Sequence, residues 1–341
     1  MTSDPEHDAS TRLLSLLAGK WISQAVSTAA EIGISDALRE KPLSVEELAE
    51  ALGCHAPTLE RLMYILVGEG LYAIDEGEEV ERYRLDEMGA LLCEHQEQFR
   101  DLARFIGSPT QWAPWSALPD CVRSGKSAYE HTHGQTLYSW LEAHPEDAKR
   151  YDRGIDRFTA DVSRAIAGSY DFARVHSLVD VGGGLGSSLI EILDRWPEVR
   201  GTLFELPHVL ERAERRLAGY KERCELVAGS FFEPISSGAD VYLLKHVLHN
   251  WGDEDALKIL KQCREAMRPD STLLIVEGLL VAGHGRSFAR LMDLEMLVLF
   301  GQGRERTKRE MQLLCKEAGL HLERRTLPLD AFARLLIAHP R

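Results

Sequence analysis

The sequence has no apolar run approaching the roughly 20 residues that a helix needs to cross a bilayer, so no membrane partner is expected. Its six cysteines show neither CxxC nor mixed His/Cys ligand spacing, which argues against a disulfide framework and a zinc site. The first residues, MTSDPEHDAS, are acidic and polar, unlike a secretory signal. We therefore expect reduced thiols and a cytoplasmic protein.

Basic residues are scarce in the first hundred positions, which hold 8 Lys/Arg against 20 Asp/Glu within a chain of net charge -14. The same region has the pattern of a winged helix. Ser44 and Glu47 form a capping box that opens a helix through Leu52, which Gly53 stops. A second helix is expected from Pro57 to Gly70, with an apolar face formed by Leu59, Leu62, Met63 and Leu66. Residues 71–74 and 83–85 are predicted to pair across the acidic turn 75–81.

The charge of this region opposes DNA recognition, because phosphate binding needs Lys and Arg. The second helix, which would read DNA, carries Arg61 against Glu60 and Glu69. We therefore expect a packing or dimerisation module without a nucleic-acid partner. The stretch 13–38 supports this interpretation, because it is apolar over most of a helix surface, as expected for burial against a partner.

The chain lacks the dinucleotide motif GxGxxG and the phosphate-binding motif GxxxxGK[ST]. Instead, residues 178–188 read LVDVGGGLGSS, a GxGxG turn that includes Gly182 and Gly184 and is followed by Ser187. Glycines let the backbone approach a ligand closely, and the helix predicted over 189–196 would point its N-terminus at that ligand. These residues alone also fit a tight turn without a ligand or another kind of nucleoside site.

From residue 166 onward, strands and helices alternate, which predicts a parallel sheet covered on both faces. The expected strands are 177–181, 201–204, 224–227, 241–244, 273–276 and 332–338. Ligands of such sheets bind at the carboxyl ends of the strands. The residues that follow predicted strands, and should meet in one crevice, are Gly182, Glu205, Ser230, Phe231 and Lys245. Glu205 is placed to accept hydrogen bonds from ribose hydroxyls.

Two histidines follow the fourth of these strands in the segment LLKHVLHNWGDEDA. His246 and His249 lie three residues apart, as in a helical turn, but HExxH is absent and no third metal ligand is evident, so no metal is expected. A histidine near its ordinary pKa of about 6.5 can accept a proton at neutral pH. Glu277 or Glu305 could accept its other ring N–H. A purely structural histidine is the alternative.

The ordered motifs LVDVGGGLGSS, FELPHV, GSFFEPI, LKHVLHNWGDED, VEG and GRERT resemble the S-adenosylmethionine-dependent O-methyltransferases of plant phenolic and bacterial natural-product type. The resemblance covers nearly the whole chain. It implies an α/β fold in which a Rossmann-like class I methyltransferase domain with a doubly wound sheet follows a mostly helical winged-helix dimerisation domain. The expected domains are residues 1–100 for dimerisation, 101–165 as a helical linker and substrate-pocket segment, and 166–341 for S-adenosylmethionine.

The resemblance also assigns roles to individual residues. His249 matches the catalytic base, with Glu277 and Glu305 as the two acids beside it. The positions implied for the cofactor are Gly182 and Gly184 in the loop, Glu205 at the ribose, Ser230 and Phe231 at the adenine, and Lys245 nearby. The positions implied for the substrate wall are Tyr151, Ile155, His246, Met292, Met296 and Phe300.

Three positions depart from the usual family pattern. Glu205 and Ser230 each replace an aspartate, and Asn250 follows the base where Asp is frequent. The first two departures resemble the anthracycline-tailoring branch, which includes a hydroxylase of the same fold and members that lack the histidine. Because this chain keeps His249, base-assisted methyl transfer is favoured.

The sequence therefore predicts a homodimeric O-methyltransferase that uses S-adenosylmethionine to methylate a phenolic hydroxyl of a small aromatic or polyketide-type natural product. A phenol has a pKa of about 10 and needs a base at neutral pH. The alternatives are a tailoring hydroxylase of the same fold, which would bind S-adenosylmethionine without transferring methyl, and a nucleoside-sensing winged-helix regulator.

Overall fold

The computed structural model describes residues 9–75, 80–94, 99–281, 283 and 285–341. The chain divides into two compact units: unit 1 comprises 1–112 with 146–158, and unit 2 comprises 113–145 with 159–341. The segment 101–165 therefore contributes to both units. No helix in the described ranges is long and apolar enough to cross a membrane. All six cysteines are free.

The elements up to residue 169 are almost all helical. In chain order they are α1 (Ala9–Ile32), α2 (Ile34–Ala37), α3 (Val45–Leu52), α4 (Ala56–Gly68), β1 (Tyr72–Asp75), β2 (Arg82–Leu85), α5 (Glu87–Ala90), α6 (Arg100–Ile106), α7 (Pro109–Ser116), α8 (Leu118–Ser124), α9 (Ala128–His133), α10 (Leu137–Ala143), α11 (Pro145–Phe158) and α12 (Ala160–Ser169).

Strands and helices then alternate to the end of the chain. They are β3 (Ser177–Val181), α13 (Ser187–Arg195), β4 (Arg200–Glu205), α14 (Pro207–Arg216), β5 (Cys224–Ala228), β6 (Val241–Lys245), α15 (Asp253–Ala266), β7 (Thr272–Leu280), α16 (Phe288–Phe300), β8 (Arg306–Thr307), α17 (Lys308–Glu317), β9 (Leu320–Pro328) and β10 (Ala333–Pro340).

Unit 1 contains the predicted winged-helix elements. The capping box is present at the start of α3, where Ser44 and Glu47 satisfy each other's backbone N–H, and Gly53 ends the helix with a φ of 64°. Helix α4 ends at Gly68, two residues before the predicted stop. Strands β1 and β2 pair antiparallel as predicted. Residues 76–79 of the predicted acidic turn lie outside the described residues.

The first half of α1 keeps an apolar surface exposed in the single chain. Its large exposed side chains are Leu13 (57%), Leu14 (66%), Leu16 (65%), Leu17 (62%) and Trp21 (68%). Later in the same helix, Ala29 and Ala30 are buried in the core of unit 1. Because contiguous exposed apolar surface of this kind marks an interaction site, this face of α1 is suited to a partner.

Unit 2 is built on an eight-stranded sheet with the order β5-β4-β3-β6-β7-β10-β9, and β8 pairs with β7. The pairs from β5 to β7 are parallel. The predicted parallel sheet is present over these strands, but β10 runs antiparallel to both β7 and β9, which the sequence pattern did not predict. Strand β9 was not predicted, and β10 begins at Ala333 rather than at Phe332.

Helices cover both faces of this sheet, as predicted. Leu178 packs in one buried cluster with α12, α13 and α14, whereas the next residue, Val179, packs in another with α15 and α17. This alternation is the two-residue period of a strand buried on both sides. Helix α13 starts at Ser187, two residues before the predicted start, and follows Gly186 at a φ of 78°.

Candidate active site

Four adjacent parallel strands end at one edge of the sheet in unit 2. Glu205 and Lys245 are the last residues of β4 and β6, Gly182 follows β3, and Ser230 follows β5 closely. The predicted cofactor residues therefore share the carboxyl edge of neighbouring strands, which is where ligands of such sheets bind.

The glycine turn has left-handed backbone at Gly182 and Gly184 as well as at Gly186. Gly182 has a φ of 68°, and a Cβ there would lie 3.2 Å from both Phe231 and Val247. Gly184 has a φ of 59°, and a Cβ there would meet no atom within 4 Å. The backbone at Gly184 thus faces open space, whereas Gly182 is held by its neighbours. This combination suits a loop that a nucleoside ligand approaches closely.

The Glu205 carboxylate ties this turn to the end of β4. Its Oε2 accepts a hydrogen bond from the Gly184 N–H at 3.0 Å, and its Oε1 accepts one from the Leu206 N–H at 2.7 Å. Each carboxylate oxygen can accept a further bond, so these contacts leave capacity for a donor such as a ribose hydroxyl. The buried acid therefore fits the ribose role that the sequence predicts.

Phe231 and Phe232, which follow β5, provide an uncharged aromatic surface. The Phe231 ring packs edge-on against Phe232 at 5.1 Å and Trp251 at 5.9 Å between ring centroids. The Ser230 hydroxyl accepts a hydrogen bond from the Phe232 N–H at 3.3 Å. This environment suits a flat, uncharged ring such as adenine.

Sequence reasoning missed Asp180, although an acid between two apolar residues of a buried strand was a signal. Asp180 is fully buried, and neither of its carboxylate oxygens has a hydrogen bond from a described residue. Burial raises the pKa of Asp180 to about 7, and the nearby Lys245 opposes this shift. The Lys245 ammonium donates to the Thr159 hydroxyl at 2.7 Å, another contact that sequence reasoning missed.

His249 lies in a short 3₁₀ helix, Leu248–Asn250, directly behind the sheet edge. Its Nδ1 lies 2.9 Å from the Glu305 Oε1 and 3.5 Å from the Glu277 Oε2. The two predicted acids are therefore both beside the predicted base. The two histidines do not share a helical turn, because His246 precedes the 3₁₀ helix and has a φ of 53°.

Burial and the charges of neighbouring side chains shift the pKa values of His249 and Glu277. Burial lowers the pKa of His249, but the Glu277 charge and the Glu305 hydrogen bond outweigh it and raise the pKa to about 9. Burial raises the pKa of Glu277 to about 7, while His249 opposes that shift. The pKa of His249 departs from the ordinary histidine value assumed from the sequence, because two buried carboxylates stabilise the imidazolium.

Arg306 fixes the loop that carries the histidine, and sequence reasoning missed its role. Its buried guanidinium donates to the Leu248 carbonyl at 2.8 Å, the Trp251 carbonyl at 2.7 Å and the Asp253 carboxylate at 2.9 Å. One clue to this role was present in the sequence, because Arg306 directly follows the predicted site residue Glu305. Glu277 adds a further tie, because its Oε1 accepts from the Leu248 N–H at 2.8 Å. The segment 248–253 is thereby held from two sides.

The same histidines raise the question of a metal. The ligand atoms of His246, His249 and Glu277 lie within 4.8 Å of one another, so they could surround one ion. The His249 Nδ1 is the atom beside Glu305. A histidine can donate its Nδ1 proton to a carboxylate and use Nε2 either as a metal ligand or as a proton acceptor. The contact with Glu305 therefore fits both roles.

The predicted substrate-wall residues fall in both units. Tyr151 and Ile155 lie on α11 within unit 1, where the Tyr151 ring packs edge-on against Phe105 at 5.2 Å. The others lie in unit 2, namely His246, Met292, Met296 and Phe300. In unit 2 the Phe300 ring lies 5.5 Å from that of Tyr138, whose hydroxyl accepts from the Asn250 amide at 2.7 Å. Asn250 therefore has a hydrogen-bond partner, distant in sequence, that the sequence did not reveal.

Comparison with known proteins gives two domain matches. Residues 115–321 match an O-methyltransferase domain, and residues 14–95 match an O-methyltransferase dimerisation domain. The chain is 39% identical to 3-amino-4-hydroxybenzoate 4-O-methyltransferase of Streptomyces cremeus, over 94% of this chain and 88% of the relative. It is also 36% identical to aclacinomycin 10-hydroxylase of Streptomyces purpurascens, over 93% and 88% of the two chains.

Solved structures give the same result. The mitomycin 7-O-methyltransferase structure superposes with a TM-score of 0.90 at 34% identity, covering 98% of each chain. An O-methyltransferase from neocarzinostatin biosynthesis, solved with S-adenosylmethionine and 2-hydroxy-5-methyl naphthoic acid, has a TM-score of 0.79 at 31% identity. That match covers 94% of this chain and 96% of the other.

Proposed function

The chain belongs to the O-methyltransferase family, and from this premise we propose that it methylates a phenolic hydroxyl with His249 as the general base. S-adenosylmethionine is its methyl donor. The observation that carries the proposal is the contact between the His249 Nδ1 and the buried Glu305 carboxylate at 2.9 Å, which leaves Nε2 as the ring nitrogen able to take a proton.

Methyl transfer to a phenol needs a deprotonated oxygen aligned with the donor. S-adenosylmethionine supplies, when bound, a methyl group on a positively charged sulfur that leaves as a neutral thioether. His249 accepts the phenolic proton at Nε2 and keeps its Nδ1 proton toward Glu305. Glu277, 3.5 Å from the same Nδ1, stabilises the resulting imidazolium.

The proposed cofactor residues lie at the carboxyl edge of the sheet. Gly182 and Gly184 provide the turn, Glu205 accepts hydrogen bonds from the ribose hydroxyls, and Phe231 packs against the adenine. Ser230 and Lys245 complete the proposed set. Ser230 offers hydrogen bonds but no charge, so the adenine end contributes less electrostatic binding than an acid would.

The proposed acceptor wall in unit 2 comprises His246, Met292, Met296 and Phe300. Met296 is buried, and the other three are partly exposed. Methionine and aromatic side chains suit a flat apolar ligand because they are polarisable and adapt to irregular shapes. Tyr151 and Ile155 of unit 1 remain predictions of the family resemblance.

The pH dependence of activity tests the role of Glu277. Because His249 must lose its proton before it can act and its pKa is raised to about 9, kcat/KM should rise with pH and level off near that value. The substitution Glu277→Gln removes one negative charge and lowers the His249 pKa. We expect the acid limb of the kcat/KM profile to move to lower pH, with a reduced plateau. A limb that stays in place or moves upward would show that Glu277 does not act on His249.

The dimerisation domain and the exposed apolar face of α1 together support a homodimer. Replacing Leu17 and Trp21 by Glu places two charges on this face. The dissociation constant of the dimer should rise about 30-fold for each substitution and about 10³-fold for the two together, because interface anchors contribute about 2 kcal/mol or more each. Sedimentation velocity measures the change, and Ser15→Glu, at an exposed position on the opposite side of the same helix, is the matched control. A double variant that stays as dimeric as that control would contradict this interface.

The function itself is tested with S-adenosylmethionine that carries an isotopic methyl label and a panel of phenols, hydroxyphenazines and aromatic polyketides. Mass spectrometry should find acceptors that gain the labelled methyl group, with one equivalent of S-adenosylhomocysteine formed. The hydroxylase alternative is supported by the 36% identical aclacinomycin 10-hydroxylase. It predicts a reaction that consumes O₂ and a product that gains oxygen and carries no methyl label.

A further inference from the structure

Two buried polar atoms at the sheet edge lie close together without a hydrogen bond. The His246 Nδ1 and the Glu277 Oε2 are 3.9 Å apart, and neither has a hydrogen-bond partner among the described residues. Their side chains are only 9% and 2% exposed. Because a buried polar atom without a partner costs free energy, this pair of atoms is suited to a ligand that binds both of them.

His249 brings a third atom to the same place. Its Nδ1 lies 3.5 Å from the Glu277 Oε2, and one ligand atom from each of His246, His249 and Glu277 lies within 4.8 Å of the others. Atoms bound to one tetrahedral zinc ion are roughly 3.3 to 3.6 Å apart, given zinc–ligand bonds of about 2.0 to 2.2 Å. The separations of 3.5 and 3.9 Å from the Glu277 oxygen are close to that range.

The donor set selects among metal ions. Imidazole nitrogens favour Zn²⁺ and its transition-metal neighbours, whereas Mg²⁺ and Ca²⁺ prefer oxygen ligands alone. Two histidines and one glutamate are a ligand set that zinc sites use. The buried carboxylates of Glu277 and Glu305 also supply two negative charges to offset the ion, and the nearby Arg306 charge opposes it. This site therefore favours Zn²⁺.

The backbone holds the His246 ligand in place before any ion binds. Among the described residues, His246 is the only one other than glycine with a positive φ, 53°, which costs about 1 kcal/mol or more. Its N–H donates to the carbonyl of Val276, the residue before Glu277, at 2.9 Å. Its ring stacks on Phe332, with centroids 5.9 Å apart and planes at 4°. A ligand fixed in this way loses little freedom when an ion binds.

We propose that His246, His249 and Glu277 bind Zn²⁺ and that the bound ion inhibits methyl transfer. The inhibition rests on the proposed function, whereas the binding does not. Zn²⁺ bonds to the lone pair of the His249 Nδ1, and the proton of that nitrogen is released to solvent. The charge of the ion then compensates Glu305 for the lost hydrogen bond. A ring that carries Zn²⁺ resists a second positive charge, so His249 no longer accepts a proton at Nε2.

Titration calorimetry of the chelator-treated enzyme with zinc chloride tests the binding. We expect a site that releases a proton, seen as a dependence of the heat on the ionisation enthalpy of the buffer. His246→Phe, which keeps a ring for Phe332, and Glu277→Gln each remove a ligand, so each should raise the zinc dissociation constant by about 10²-fold or more. His321→Phe, at an exposed histidine on β9, is the matched control and should bind zinc as wild type does.

Cobalt absorption spectra separate this site from the six free cysteines. Co²⁺ accepts the same kinds of ligand as Zn²⁺ and absorbs in the visible range when few ligands surround it. Nitrogen and oxygen ligands lack the near-ultraviolet charge-transfer band that a thiolate adds. We expect visible absorption without that band in wild type and His321→Phe, and its loss in His246→Phe.

Initial rates test the inhibition. Zn²⁺ should lower kcat, a chelator should restore it, and millimolar Mg²⁺ should leave it unchanged. The dissociation constant for S-adenosylmethionine should not respond to Zn²⁺, because the proposed cofactor residues belong to other strand ends. In His246→Phe, the residual activity should need about 10²-fold more Zn²⁺ for the same fractional inhibition, in parallel with the weaker binding.

Equal zinc affinities of wild type and both ligand variants would overturn the site, and so would a cobalt spectrum dominated by thiolate bands. Zinc bound at this site without a loss of turnover would overturn the inhibition. If no acceptor is methylated under any condition, the proposed function fails instead, whereas the calorimetric and cobalt measurements still test the ion site.

Discussion

Replacement of His249 by alanine is expected to lower kcat for an unactivated phenol by about 10²–10⁴, the usual contribution of a positioned general base. The phenol, with a pKa of about 10, then has to ionise without assistance, and the loss is largest near pH 9, where the wild-type His249 is free to accept a proton. The substitution also leaves the buried Glu305 carboxylate without the Nδ1 donor that now lies 2.9 Å away. Initial rates at saturating S-adenosylmethionine measure the loss.

Two controls separate a catalytic defect from a folding defect. The dissociation constant for S-adenosylmethionine should stay close to the wild-type value, because the proposed cofactor residues belong to other strand ends. His321→Ala, at an exposed position, should keep wild-type turnover. A His249→Ala enzyme with unchanged kcat would contradict the assignment of His249 as the base.

Replacement of Glu205 by alanine should raise the dissociation constant for S-adenosylmethionine by about 10²-fold or more. Hydrogen bonds to a charged group are worth about 1.5–3 kcal/mol each, and the proposed contact with the ribose uses two hydroxyls. The variant also loses the bond from the Gly184 N–H that holds the turn. Titration calorimetry with S-adenosylhomocysteine measures the change without turnover.

Conservative variants make this prediction specific. Glu205→Asp keeps the charge that the family usually has at this position and should retain most of the affinity. Glu205→Gln keeps the size but loses the charge, so its affinity should fall between those of the alanine variant and the wild type. Equal affinities of the alanine and wild-type proteins would show that Glu205 does not bind the cofactor.

Features with a local cause could be predicted from the sequence. The capping box at Ser44 and the left-handed stop at Gly53 depend on neighbouring residues, and so does the strand that leads into Gly182. The carboxyl edge of the sheet followed from the alternation of strands and helices. The direction of β10 did not, because it depends on antiparallel pairing with β7 and β9, and hydrophobic patterns do not encode strand direction.

The chemistry of the site depended on contacts distant in sequence. The resemblance placed two acids near His249, but the raised pKa requires that both carboxylates be buried within 3.5 Å of its Nδ1. Arg306 fixes the 248–253 segment only because the fold lets its guanidinium donate hydrogen bonds to three groups of that segment. The positive φ of His246 has no signature in the sequence, because only the fold imposes it.

The central claim is that His249 removes the proton of the acceptor, and the acidity of the acceptor tests it most directly. Methyl transfer by wild type and His249→Ala is measured at one pH with phenols of similar shape and decreasing pKa, from phenol to halogenated and nitrated phenols. The defect of the variant should shrink from about 10²–10⁴ toward unity as the acceptor becomes ionised in solution. A defect of constant size across the series would contradict a role for His249 as the base.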